Sequence, residues 1–405
     1  MVASWSICAV DDMVASELQQ LCERVRAFID ECVIPREDMA RAHDIAWLDA
    51  TTSELRAEAD RRGLSVPQLA PQFGGLGLNW VSCVDVFAQA GRSFLGPGAL
   101  GCAAPDQPNI DTLLQIATPA QQRRWLDPLI AGRVRSAFAM TEPAPGVGSD
   151  PRMIQTRARR GRGPGGEPGW ILDGHKWFSS GAVGAAFALV VVRADEGPSW
   201  FVVDADNPGW QLQRSVASID PFAHGGHGEV VLRDCFVAED ALLGELGQGL
   251  VYAQLRLEGA RLFHCMRGLG LAARAMDFAH DYVLRRESFG ARLSEHQQVQ
   301  AMVADSQIDL YSARLVTTDV ALRLDRGDSI RHESSMAKVF VSEALCRIAD
   351  RAAQLTGALG MSDDAPIAMI NRKLRPFRIY DGASEVHRAA IGKRALMRTN
   401  LDNTR

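Results

Sequence analysis

The chain has 405 residues, 47% hydrophobic and 23% charged, with a formal net charge of −5. That is a soluble globular composition, too long for one simple core, so two or three domains are expected. The charge balance gives no footing for nucleic acid, and no apolar run approaches the ~20 residues of a membrane span.

Eight cysteines (Cys8, Cys22, Cys32, Cys83, Cys102, Cys235, Cys265, Cys346) are scattered without a C-x-x-C pair. Zinc and redox motifs are therefore not expected, and buried free thiols in a reducing cytosol are. The first 20 residues carry Asp11, Asp12 and Glu17 but no Lys or Arg, unlike a secretory signal or a transit peptide. Lysine is confined to Lys176, Lys338, Lys373 and Lys393 among 44 basic residues, which points to a GC-rich genome. The expected setting is the bacterial cytoplasm.

Residues 1–135 read as a helical domain. Leu18, Leu21, Cys22, Val25, Phe28 and Ile29 recur at helical spacing. Further helices are expected over Thr52–Arg62 (ended by Gly63), Val81–Ala90, Thr112–Ala117 and Pro119–Leu129, with a glycine-rich loop at Pro71–Leu78. Residues 136–247 read as a β domain with short strands at Ser136–Met140, Trp170–Leu172, Phe187–Val192, Trp200–Val203, Trp210–Gln213 and Glu229–Val237. The Arg/Gly/Pro-rich stretch Arg157–Gly169 reads as a mobile hairpin tip. Residues 248–405 return to the helical period. Leu262, Met266, Leu269, Ala273, Met276 and Val283 form one stripe, and Ala344, Ile348, Ala352 and Leu355 another, as in a bundle. No βαβ alternation occurs, so a doubly wound nucleotide fold is not expected.

Two local signals carry little. Gly161–Gly166 matches G-x-G-x-x-G but is broken by Pro164 and opens no helix. His224 and His227 flank two glycines without a third ligand nearby, so they read as a loop and no metal is expected.

Met140-Thr141-Glu142-Pro143 runs into Gly146-Val147-Gly148-Ser149-Asp150, a strand end followed by small and hydroxyl residues suited to a flat polar ring edge or a phosphate. Lys176-Trp177-Phe178-Ser179-Ser180-Gly181 sets an indole and a hydroxyl two apart, hence on one face of a strand. Near the end, Tyr380-Asp381-Gly382 puts a carboxylate at a turn.

The two loops resemble the flavin-binding segments of the acyl-CoA dehydrogenase family, T-E-P-x-A-G-S-D and K-x-W-I-T-N-G. Pro71–Gly77, Arg286-Glu287-Ser288-Phe289-Gly290 with Glu295-His296-Gln297, Gln354-Leu355-Thr356-Gly357 and Tyr380-Asp381-Gly382 resemble four further motifs, in family order. The likeness spans about residues 15–395. Gly225-Gly226-His227, His264-Cys265-Met266-Arg267 and Asp381 resemble the subgroup whose animal members fuse the dehydrogenase to a phosphotransferase-like domain and take medium to very long acyl chains, some hydroxylated.

This resemblance implies an α+β fold with an N-terminal helical domain, a central β-barrel-like domain and a C-terminal four-helix bundle. It implies FAD held by Met140, Thr141, Trp177 and Ser179 at the ring and Ser149 near the phosphates or the substrate chain. Arg286, Ser288, Gln297, Gln354 and Gly357 would serve the adenosine half from a neighbouring subunit. A homodimer or homotetramer, an acyl-CoA or acyl-carrier-protein substrate and an electron-transfer flavoprotein follow. Asp381 would be the base that takes the α-proton, its backbone N–H and Gly382 would meet the thioester, Arg261 would hold the catalytic loop or the substrate, and Arg388 would orient the base. Glu258, one turn before Arg261, would be that arginine's partner rather than a second base.

Asp381 departs from the family's usual glutamate by one methylene, about 1.5 Å of reach. A nitroalkane-oxidising branch of the fold also uses aspartate, so a flavin oxidase or monooxygenase is the competing expectation. A non-catalytic thioester binder is the third. The loop Pro143–Gly148 is longer than the family's by two residues.

Overall fold

The computed structural model describes residues 15–402; Cys8, Asp11 and Asp12 lie outside them. Asp44 accepts the Trp47 backbone N–H at 3.0 Å and so opens the helix Ile45–Arg61 well ahead of the Thr52 start expected from the sequence. Gly63, at φ +64°, ends it in the left-handed region. Thr118 and Gln121 form a reciprocal capping box ahead of the Trp125 turn, with Pro119 in the first helical position.

The middle of the chain is one eight-stranded sheet. Its strands are β1 (Ser136–Ala139), β2 (Arg157–Arg162), β3 (Pro168–Ser180), β4 (Phe187–Ala194), β5 (Gly197–Asp204), β6 (Trp210–Ser215), β7 (His227–Ala238) and β8 (Leu242–Leu243). Their order is β6-β7-β3-β1-β4-β5-β8, with β2 beside β3 and β4. β1 runs parallel to β4, Ser136 opposite Phe187. Strand β4 shows why the sheet sits centrally. Its even side (Ala188, Val190, Val192) joins a core with Trp170 and Phe201, while Phe187, Leu189 and Val191 meet Leu113, Trp125 and Leu126 of the N-terminal helices. A strand covered on both faces reads as a continuous apolar run.

Half of the Arg157–Gly169 stretch is strand rather than tip. Arg157 to Arg162 pair with Asp173 to Pro168, and the turn is confined to residues 163–167. The guanidinium groups replace apolar alternation. Arg160 lies 4.0 Å over the Trp170 ring and 3.0 Å from Glu239, and Arg159 lies 3.4 Å from Asp234.

The last third holds the helices Gly249–Arg285, Gln297–Asp325, Arg331–Thr356 and Ser384–Asp402, with Ile367–Leu374 between the last two. The first of these has 37 residues, about 55 Å of helix. It shares one core with the N-terminal helices: Phe263 packs tilted against Trp80 at 4.6 Å and stacks on Phe87 at 5.0 Å. The two helical regions are thus welded rather than separately cored. No described helix is long and apolar enough to cross a membrane. The seven described cysteines are free; burial pushes Cys102, Cys235 and Cys265 up to about 12.

The weld depends on glycine. A Cβ on Gly270 would fall onto the Ala88 carbonyl oxygen, and one on Gly91 onto that of Arg267, backbone atoms that cannot step aside. Gly270→Ala is expected to destabilise the protein by about 1–3 kcal/mol, the usual scale of overpacking, despite alanine's better helix propensity. Urea unfolding of the two proteins measures it; an unchanged midpoint would show that the helices can separate freely.

Candidate active site

Where the three regions meet is a cavity of about 1880 Å³, roughly twice the common upper size of a small-molecule site. The N-terminal region contributes Phe94 and Gly98, the loop after β1 Met140, Thr141 and Ser149, strand β3 Phe178, and the long helix Arg256, Glu258, Arg261, His264 and Arg267. Asp381 and Gly382 form part of its wall.

Asp381 sits in the left-handed region at φ +55°, followed by Gly382 at φ +95°. Aspartate tolerates that conformation better than longer side chains do, and glycine adopts it freely. The segment is therefore the turn its sequence suggests, and Asp381 still lines the cavity. Three donors hold its main chain. Arg261 Nε donates to the Asp381 carbonyl at 2.9 Å, His387 Nε2 lies 3.0 Å from the same oxygen, and Lys338 Nζ donates to the Gly382 carbonyl at 2.7 Å. A Cβ on Gly382 would come within 2.6 Å of His387 Nε2.

The Asp381 carboxylate is only 16% exposed, and its Oδ2 is shielded from solvent without a hydrogen-bond partner. Burial pushes its pKa above the ordinary carboxylate value, against the pull of Arg256, Arg261, Lys338 and Arg267. Burial likewise brings Arg256 down to about 10 and Lys338 down to about 8, with Asp381 opposing both. Arg256 Nε donates to Asn109 Oδ1 at 3.0 Å and its guanidinium lies 3.8 Å from the centre of the Phe138 ring. A buried carboxylate with a raised pKa at a cavity wall has the character of a proton acceptor.

The flavin-type loops are arranged around a buried ion pair. Lys176 Nζ meets Glu142 Oε1 at 2.7 Å and the Met140 carbonyl at 2.9 Å. Glu142 also accepts the Gln155 and Thr156 backbone N–H groups at 2.7 and 2.9 Å. β3 bulges between Lys176 and Ser179, with Phe178 at φ +48°, so the simple alternation expected of Trp177 and Ser179 is broken. Phe178 and Ser180 line the cavity in their place. Trp177 packs edge-on against Phe178, and the buried Ser179 Oγ has no hydrogen-bond partner. Such an orphaned hydroxyl suits a ligand that offers it one.

Other expected residues stand elsewhere. Arg388 is about half exposed and lies 3.5 Å from Glu343, not beside Asp381; the cations nearest the carboxylate come from the long helix and Lys338. Glu258 lines the cavity and its charge acts on Arg261, but its hydrogen bond comes from Gln254 Nε2 at 2.6 Å, while the Arg261 Nε is spent on the Asp381 carbonyl. Arg286, Gln297, Gln354 and Gly357 are exposed, and Ser288 lies in a small hairpin closed by Ala291–Arg292, all outside the cavity. His224 and His227 turn to different partners. His224 Nδ1 lies 3.3 Å from Thr52 Oγ1, whereas His227 bridges Ser180 Oγ and Asp220 Oδ2, each at 3.2 Å.

The structure adds Arg256, His264, Arg267 and Lys338 to the site residues that the sequence motifs mark. A signal was present for the long helix: Arg261, His264 and Arg267 recur every third residue inside an otherwise apolar stretch, a polar stripe that a buried helix retains only where it has partners.

Comparison with known proteins gives three domain matches in chain order: the acyl-CoA dehydrogenase N-terminal domain over residues 15–133, the middle domain over 137–235 and the C-terminal domain over 247–396. The Mycobacterium tuberculosis protein named "Probable acyl-CoA dehydrogenase FadE2" is 35% identical over 85% of each chain. Mouse acyl-CoA dehydrogenase family member 11 is 36% identical over 93% of this chain but 50% of its own, so this chain spans about half that animal relative. A solved acyl-CoA dehydrogenase from Geobacillus kaustophilus superposes with a TM-score of 0.81, at 25% identity, over 95% of this chain and all of the other. With three consecutive domains matched and a relative this similar along most of both lengths, the chain belongs to the acyl-CoA dehydrogenase family, whose members are FAD-dependent oxidoreductases acting on CH–CH bonds.

Proposed function

We propose that this protein removes the α- and β-hydrogens of an acyl-CoA thioester, with Asp381 as the base. The observation that carries the reading is the buried Asp381 carboxylate at the wall of the large cavity, with one oxygen unpartnered. FAD fits the residues present. Thr141 and Met140, at the strand end clasped by Lys176 and Glu142, and Ser180 and Phe178 beyond the bulge line the cavity and would hold the ring; Trp177 and the orphaned Ser179 hydroxyl, expected there from the sequence, do not line it. Ser149, at the cavity rim, would meet the phosphates or the pantetheine arm. When bound, the flavin supplies the hydride acceptor.

Asp381 takes the α-proton: the C–H bond breaks, the O–H bond forms, and the electron pair stays with the thioester. Its backbone N–H and the Gly382 turn are suited to the thioester oxygen, where charge develops. Arg261 fixes the turn through the Asp381 carbonyl, so the base and that donor move as one unit. The cations around the carboxylate oppose the upward push of burial on its pKa.

The exposed Phe289, with Ile308, Tyr311 and Leu315 on one helix face, supports a homodimer or homotetramer. The neighbour's Arg286, Ser288, Gln297, Gln354 and Gly357 would then serve the adenosine half. An electron-transfer flavoprotein is the proposed acceptor, and a carrier-protein thioester is the variant substrate. The test is anaerobic titration of the FAD-loaded protein with acyl-CoAs of graded length and hydroxylation. The expected result is bleaching of the flavin by at least one of them. Oxidised flavin after every thioester would sink the reading, and fast peroxide formation in air would favour an oxidase instead.

A further inference from the structure

We propose that His264 is the positioning residue of the base: its Nε2–H is the donor that steadies the Asp381 side chain, and Arg267 and Tyr380 lock the ring in that tautomer. The inference rests on the dehydrogenase reading above.

His264 Nδ1 lies 3.2 Å from Arg267 Nη2 and 3.3 Å from the Tyr380 hydroxyl. A guanidinium can only donate, so Nδ1 accepts and the ring proton resides on Nε2. That Nε2 is 3.5 Å from Asp381 Oδ2, the shielded carboxylate oxygen with no hydrogen-bond partner. The separation is long for a hydrogen bond, and catalytic contacts of this kind tighten when substrate is in place. The ring packs beside Tyr380 at 4.7 Å and Phe377 at 5.6 Å, which stack on each other at 5.4 Å. Arg261, His387 and Lys338 all hold main-chain carbonyls of the turn. Among the described residues, His264 is the group placed to hold the carboxylate itself.

The imidazole also stays neutral. Burial, and then Arg267 and Arg256 on its own helix with Lys373 and Lys338 on the neighbouring ones, hold its pKa well below the ordinary value. Facing it from the turn are Tyr380 and Asp381. His264 thus gives a hydrogen bond without adding a charge or exchanging its own proton. A hydrogen bond to the charged form lowers a carboxylate's pKa. Removing it would raise that of Asp381 further, so proton abstraction would fail at a higher pH.

The experiment follows α-proton exchange with D2O in a 3-thia-acyl-CoA, whose β-sulfur has no hydride to lose, by mass spectrometry across pH. Wild type, His264→Phe and His264→Gln are compared as FAD-loaded proteins. The expected result is an acidic limb moved up by about one pH unit in His264→Phe, analogue affinity within about twofold of wild type, and a wild-type limb in His264→Gln, which keeps an N–H donor. An unmoved limb in His264→Phe, or equal displacement in both variants, would overturn the proposal. Nitrogen-15 NMR of the wild-type histidines decides it without any variant: the Nε2–H neutral form supports it, and an imidazolium or Nδ1–H form refutes it. Wild-type enzyme that catalyses no exchange would instead sink the dehydrogenase reading, and this inference with it.

Discussion

Asp381→Asn is expected to fold, to keep FAD and to lose about a hundredfold or more in the rate of flavin reduction, the scale on which a general base contributes. Stability should move the other way. A carboxyl group whose folded pKa is raised contributes stability below its ordinary value and loses it as pH rises through the raised one. At neutral pH the wild-type protein bears that cost and the amide does not. The melting temperature of Asp381→Asn should therefore equal or exceed that of the parent. Stopped-flow reduction and a thermal melt on one preparation check both halves. Near-normal reduction would move the base elsewhere, Glu258 being another carboxylate that lines the cavity. Asp381→Glu is expected to recover only part of the rate. The left-handed turn suits the shorter acid, and a misplacement near 1 Å costs about a hundredfold.

The largest stability effect is expected at the Lys176–Glu142 pair, whose side chains are 0% and 2% exposed. Lys176→Met removes the ammonium and leaves a carboxylate in the interior with backbone N–H groups alone. Breaking such a pair costs about 3–5 kcal/mol. Replacing both partners, as in Glu142→Leu with Lys176→Met, should recover much of the loss, because no charge is then stranded. Burial raises the Glu142 pKa, but Lys176 and the loop N–H groups pull it below its ordinary value. Its contribution is thus present above that value and is lost as pH falls through the folded one. Urea unfolding of both variants, with acid titration of the wild type, measures these. A double variant no more stable than Lys176→Met would show that the loop needs the carboxylate, not the pair.

Local chemistry explains which features the sequence makes legible. The strands of the β domain announce themselves through Val, Trp and Phe runs because both faces of the sheet are covered. Strand β2 hides because arginine stems and ion pairs take the place of apolar alternation. The helix before Gly63 begins earlier than its apolar period because Asp44 caps it. At the site, Asp381, Arg261 and Thr141 are visible as motif residues. The bulge at Phe178 is a backbone event that no alternation rule reveals, and it exchanges the residues that face the cavity. Arg388 illustrates another limit. Seven positions beyond Asp381 it should stand two turns away on the last helix, yet the left-handed turn comes first and Glu343 captures it. Spacing along a helix predicts neighbours only where the helix is unbroken.

The burial of Lys176 and Lys338 has a practical side. Both are 0% exposed, so of the four lysines only Lys393 is freely exposed, with Lys373 about a quarter accessible and engaged by Asp220. Amine-directed reagents should therefore mark the lysines almost entirely at Lys393 on the terminal helix Ser384–Asp402, just beyond the Asp381 turn. A single fluorophore or surface tether placed there would report on that helix without touching the cavity.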